Sequence, residues 1–211
     1  MANSLKQRNS FTLWMVVTVN ALFFYGVLNA NAISMDGLAA VFHQAQSLIP
    51  IGITGIIVAV LNALPSSDLK ATLVFWRLKH ALPGHRAFSV LAKKDSRINP
   101  QRLKAIFKGS LPVDPAEQNA TWYKLYRTVR EDVIVESSHK LFLLLRDYAA
   151  LSVMFLIIFG PWALIAMADK GAAAVYAGIM LAQYLIVRQA AYNAGIRMVT
   201  NVMALKTAAA R

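Results

Sequence analysis

Four long apolar runs divide the chain. Phe11–Ile33 carries no charge over 23 residues, and Leu48–Pro65 carries none over 18. Tyr148–Ala168 is uncharged over 21 residues, and Ala172–Tyr192 holds one base, Arg188, near its end. Crossing a bilayer takes about 20 mostly apolar residues. Helices are required because lipid offers no partner to free backbone groups. The pattern predicts an all-α, polytopic membrane protein with four transmembrane helices. Residues 1–65 form an N-terminal stub and the first two spans. Residues 66–147 form a basic, helical cytoplasmic segment. Residues 148–211 form the last two spans and a C-terminal cytoplasmic helix. Lys6 and Arg8 before the first run, with Ala30-Asn31-Ala32 after it, also fit a secretory signal peptide. The run exceeds the usual ~7–15 apolar residues of such a peptide, so it reads as a retained span.

Lys and Arg fix the expected orientation. They occur before the first span, in the long middle segment, which holds 15 of them, and in the tail at Arg197, Lys206 and Arg211. The 34–47 loop has none, and Asp169 and Lys170 cancel in the last turn. Both termini and the middle segment are expected on the cytoplasmic side of a bacterial inner membrane.

Polar punctuation organises the middle segment. Ser67-Asp68 starts a helix expected to run to Ala81, ahead of Pro83-Gly84. Asn99-Pro100 starts a second, with Gly109 past its end. Asp114-Pro115-Ala116-Glu117 has the N-cap, N1 and N3 residues of a capping box. The helix after it carries Trp122, Leu125, Tyr126 and Val129 on one stripe, to be buried against the second helix or another chain. A short strand near Val133–Val135 is the one β expectation. From Ser138 a helix should continue unbroken into the third span.

Composition agrees with the pattern. Of 211 residues, 57% are apolar and 15% charged, against about 45–50% and 25% in soluble domains. There is no Cys, which excludes disulfides, thiol catalysis, Cys-ligated zinc and Fe–S clusters. The net charge is +12, and it is uneven. Residues 70–108 hold ten bases and one acid, while 109–147 are nearly balanced. This basic stretch suits anionic lipid or a phosphate-bearing partner, whether nucleotide, nucleic acid or lipid headgroup. The candidate anion-binding residues are Arg77, Lys79, His80, His85, Arg86, Lys93, Lys94, Arg97 and Arg102.

No catalytic constellation emerges, and no cofactor or metal is expected. The four His residues are dispersed, and no nucleophile, base and oxyanion site assembles. No Asp or Glu lies deep in a span, which argues against a proton-coupled pump. Asn20, Thr54, Asn62 and Gln183 serve either interhelical hydrogen bonds or a neutral pore lining in an oligomer. Ala174, Gly178 and Ala182 form a small-residue face for close helix packing. Gly160-Pro161 should kink the third span. Glu131-Asp132, among Arg127 and Arg130, reads as surface ion pairing. Arg146-Asp147 is a candidate ion pair at the membrane entry, and Arg188 is placed to snorkel.

The runs Leu82-Pro83-Gly84-His85-Arg86-Ala87-Phe88-Ser89, Asp95-Ser96-Arg97-Ile98 and Asp114-Pro115-Ala116-Glu117-Gln118-Asn119, with Trp122-Tyr123-Lys124-Leu125-Tyr126, His139 and Arg146-Asp147, resemble a group of uncharacterised bacterial membrane proteins over about residues 76–150. That resemblance implies no activity and transfers no functional residue. In architecture alone, the chain is similar to membrane effectors of bacterial anti-phage systems, which implies a signal or soluble partner triggering oligomerisation or leakage.

The expectation is therefore a non-enzymatic membrane protein that forms a homo-oligomer, contacts membrane lipids and couples a cytoplasmic protein partner or signal to the bilayer. A pore-forming effector or sensor subunit is its concrete form. Two alternatives are an enzyme or accessory subunit acting on lipid head groups, and a membrane anchor for nucleic-acid machinery.

Overall fold

The computed structural model describes residues 9–28 and 60–209. The second span as far as residue 59, Thr54 and the 34–47 loop lie outside them. Among the described residues all regular structure is helical. The helices are α1 (Ser10–Leu28), α2 (Ser67–Phe75), α3 (Ala92–Lys94), α4 (Pro100–Ile106), α5 (Pro115–Val129), α6 (Val133–Ala166) and α7 (Lys170–Ala209). A 3-10 turn, Pro83–Arg86, and a π turn, Ala87–Leu91, lead into α3. Among the described residues three helices, α1, α6 and α7, are long and apolar enough to cross a membrane. The chain divides into two compact units, one of residues 1–66 and 147–187, the other of 67–146 and 188–211.

In the first unit, α1 buries Leu13, Val17 and Asn20, one face at helical spacing. Phe24 stacks on Phe159 of α6 at 4.6 Å and lies 5.6 Å from Tyr176 of α7. Ala173, Tyr176, Met180 and Tyr184 line the buried face of α7. The opposite faces stay apolar: Ile165 is 81% exposed and Ile186 70%. In water each such side chain would forgo ~1.5–3 kcal/mol of burial. In lipid that loss vanishes, which is the energetic case for a bilayer around these helices.

Helix ends in this unit are satisfied by the two charges that seemed only to cancel. Asp169 Oδ1 accepts from the backbone N–H of Gly171 and Ala172 at 2.8 and 3.2 Å, starting α7. Lys170 Nζ donates to the carbonyls of Leu164 and Met167 at 2.7 and 2.9 Å, closing α6. Each charge also opposes the correct end of a helix dipole. α6 passes through Gly160-Pro161 without a break.

The second unit is built on the C-terminal half of α7. Ala191, Ala194, Met198, Val199, Val202 and Met203 are buried there. Gly195 leaves room for Phe75 and Phe142: a Cβ at Gly195 would lie 2.7 Å from one ring and 2.9 Å from the other. Trp122 of the predicted stripe on α5 meets α7, and Tyr126 meets His139 of α6, partners the sequence reading did not offer. Trp122 Nε1 donates to the Val199 carbonyl at 3.2 Å. The expected N-caps form. Asn99 accepts from the N–H of Arg102, and Asp114 from that of Glu117, each at 3.0 Å. Gly109, at φ +96°, donates its N–H to Lys104 and ends the turn after α4.

Three local expectations are corrected. The helix from Ser67 stops at Phe75 rather than Ala81, because Trp76 turns into the left-handed region at φ +51°. Val133–Val135 is the first turn of α6, not a strand. Asp132 starts it, its Oδ1 accepting from the N–H of Ile134 at 2.9 Å. Glu131 and Asp132 therefore lie in a turn, and among the described residues Glu131 keeps an exposed ion pair, with Arg130 at 3.6 Å.

Candidate anion-binding cleft

The second unit contains a cleft of about 890 Å³, within the ~300–1,000 Å³ of ligand pockets. Two stretches of chain line it. Phe75, Arg77, Arg86, Val90, Leu91 and Lys94 to Arg97 come from the first, and Tyr192, Asn193, Ile196, Arg197 and Thr200 from α7. Five bases thus face one acid, Asp95. The tight 3-10 and π turns explain how Arg86 arrives here. It stands at their junction, and its guanidinium lies 5.7 Å from the centre of the Phe75 ring. A buried Gln118 holds the π turn: its Oε1 accepts from the N–H of Phe88 and Ser89 at 3.1 and 3.0 Å, and its Nε2 donates to the Val113 carbonyl.

Asp95 is already committed. It accepts two hydrogen bonds from the Arg97 guanidinium, at 3.0 and 2.7 Å, and one from the Arg97 backbone N–H. Arg97 spends its remaining donors on Asn201 at 3.0 Å and Thr200 at 3.3 Å. These bonds from Arg97 pull the Asp95 carboxyl down to about 2, and raise Arg97 above its ordinary range. Arg97 is thus a rivet between the loop and α7. Arg77, Arg86, Lys94 and Arg197 are left without a carboxylate partner among the described residues. Arg86 Nη1 is buried with no hydrogen-bond acceptor. Burial first, and the charge of Arg77 second, push Arg86 below the ordinary guanidinium range. An anion relieves both penalties.

Of the nine candidate anion-binding residues, the cleft therefore gathers Arg77, Arg86, Lys94 and Arg97. Lys79 and Lys93 are exposed elsewhere on the unit. Arg102 closes α7 instead, donating to the Thr207 carbonyl at 3.1 Å. His80 and His85 pack 4.7 Å apart beside a separate hollow of about 230 Å³, and His85 Nδ1 donates to the Pro115 carbonyl. No group of three His, Asp or Glu among the described residues could hold a metal.

The residues offered for packing or pore lining separate as follows. Asn20 donates to the Val16 carbonyl of its own helix at 2.8 Å. Gln183 donates to the Tyr148 hydroxyl at 3.1 Å, joining α7 to α6. Asn62 lies 3.4 Å from a carboxylate oxygen of the buried Asp147. Arg146 lies over the Phe142 ring. Ala174, Gly178 and Ala182 are exposed, and a Cβ at Gly178 would meet nothing.

Three features escaped the sequence reading. Arg197 was read only as tail charge, although Asn193, Ile196, Arg197 and Thr200 share one helix face. Gln118 precedes Trp122 and Leu125 at helical spacing, a polar residue on an apolar stripe, and that position was the available signal. Arg188 stacks 3.6 Å over the Trp76 ring, a cation–π contact.

Comparison with protein-family models, curated proteins and solved structures finds no match for this chain.

Proposed function

We propose that this chain is a bacterial inner-membrane protein whose basic helical module binds an anionic cytoplasmic ligand or partner and couples it to the bilayer. In this reading the chain crosses the bilayer four times with both termini and that module in the cytoplasm, which the distribution of Lys and Arg supports. The observation that carries the reading is the cleft, where four cations lack a carboxylate partner among the described residues and α7 supplies one wall. α7 has 40 residues, about 60 Å at 1.5 Å per residue. That is twice the ~30 Å of hydrocarbon, so this helix is long enough both to span the bilayer and to supply residues to the cleft. α6, with 34 residues, also exceeds the hydrocarbon thickness.

The protein acts as a homo-oligomer without catalysis of its own. The exposed Ala174, Gly178 and Ala182 face supports close approach of a second copy. Its concrete form is an effector that leaks ions when the cleft is filled. Protein reconstituted in dye-loaded vesicles tests this. Cell extract should release dye, and R197Q should suppress the release. Absence of leakage with every extract fraction overturns the effector form, and a monomer by light scattering overturns the oligomer.

A further inference from the structure

Among the described residues only one carboxylate lines the cleft, and its position narrows the choice of ligand. Asp95 is bound by Arg97 through both oxygens, and Arg97 is tied further to Asn201 and Thr200. The pair therefore neutralises itself and leaves Arg77, Arg86, Lys94 and Arg197. A single carboxylate on a ligand would leave most of that charge unmatched. A phosphate carries close to two charges and three acceptor oxygens, and three of the four cations are guanidinium forks suited to it.

The remaining walls are organic in character. Phe75, Val90, Leu91, Tyr192 and Ile196 share the cleft with the bases. Inorganic phosphate uses none of this surface, and about 890 Å³ is far more than it fills. A nucleic-acid strand needs a basic track along the surface, yet Arg102 is occupied at the end of α7. A compact ligand with an anionic end and an apolar or planar body uses every wall.

We infer that the cleft binds an organic phosphate, a phosphate monoester or diphosphate seated among Arg77, Arg86, Lys94 and Arg197 with its organic part against Val90, Tyr192 and Ile196. This rests on the anionic-ligand reading above and names its class. The phosphate can come from a soluble metabolite or from a lipid headgroup, and the two sources share this chemistry.

The test titrates the purified full-length chain in neutral detergent by calorimetry. The probes are adenosine monophosphate, dihexanoyl phosphatidic acid below its micelle concentration, inorganic phosphate and citrate, and a short single-stranded RNA is titrated beside them. One organic phosphate should bind at least tenfold more tightly than inorganic phosphate and citrate. Preference for the nucleotide assigns a soluble source, and preference for the phosphatidic acid a lipid one. R197Q, at an exposed position, should weaken that binding at least tenfold, and R86K should do so by removing the fork while keeping the charge. K104Q, outside the cleft, should change nothing. Citrate binding as tightly as both organic phosphates overturns the organic-phosphate assignment and leaves the anion site standing. So does RNA binding that R197Q abolishes when no organic phosphate binds. No binding by any probe or RNA overturns both, as does equal damage from K104Q and R197Q.

Discussion

Replacing Gly195 by Ala tests the packing that holds the cleft's two stretches of chain together. A Cβ there would lie 2.7 Å from the Phe75 ring and 2.9 and 3.1 Å from that of Phe142. All three distances are shorter than an ordinary carbon contact. Phe75 is 4% exposed and Phe142 3%, so both rings are held by their neighbours and yield only at a cost. Overpacking of this kind costs about 1–3 kcal/mol. The gain in helix propensity from Gly to Ala is about 1 kcal/mol, so the net loss is up to ~2 kcal/mol. For a chain of this size that lowers Tm by up to ~8 °C at about 2–4 °C per kcal/mol. Gly160→Ala is the matched control. A Cβ there meets Leu156 at an ordinary 3.7 Å, so it should leave Tm unchanged or raise it. Thermal unfolding of both variants in one detergent and at one scan rate is the assay. A Gly195→Ala protein as stable as Gly160→Ala would refute the described packing of Phe75 and Phe142 on α7.

Other substitutions probe separate parts of the account. Gln118→Ala strands the N–H groups of Phe88 and Ser89 and the Val113 carbonyl, at about 1–3 kcal/mol for each buried group left unpaired. Protease susceptibility of the 83–91 turns should rise, and unchanged susceptibility would contradict the role of Gln118. Asp95 has a folded pKa of about 2, below the ordinary 3.8, so its stabilisation is present above pH 4 and lost as pH falls from about 4 to 2. Arg97 is half exposed, and screening limits that stabilisation to about 1 kcal/mol. Asp95→Asn should lower Tm at pH 6 and converge on the parent protein near pH 2; a constant offset would refute the linkage. Asp169→Ala removes the cap on α7 and should cost about 0.5–2 kcal/mol, read as a lower Tm.

Much of the fold was legible, for identifiable physical reasons. Uniform apolar runs mark α1, α6 and α7 because lipid imposes composition rather than periodicity. Asn99 and Asp114 announce their helices because an N-cap is a contact within three residues. The end of α2 was not legible. No Gly or Pro lies between Ser67 and Pro83, and the chain turns at Trp76, which stacks against Arg188 in the last helix. The cleft was half legible. Charge density picked out Arg77, Arg86, Lys94 and Arg97, but it could not tell a ligand-facing cation from Arg102, which caps α7. Arg197 joins them only because α7 returns to the 75–97 stretch, a long-range contact that no local pattern records.

The most direct test of the central claim is the side of the membrane on which the cleft opens. The chain lacks Cys, so single substitutions report without background. Ser96, exposed at the cleft, and Ser34, in the loop between the first two apolar runs, are replaced separately by Cys. Intact spheroplasts are treated with a membrane-impermeant maleimide. The account predicts labelling of Ser34→Cys in intact spheroplasts, and of Ser96→Cys only after lysis. Labelling of Ser96→Cys in intact spheroplasts would contradict a cytoplasmic anion-binding module.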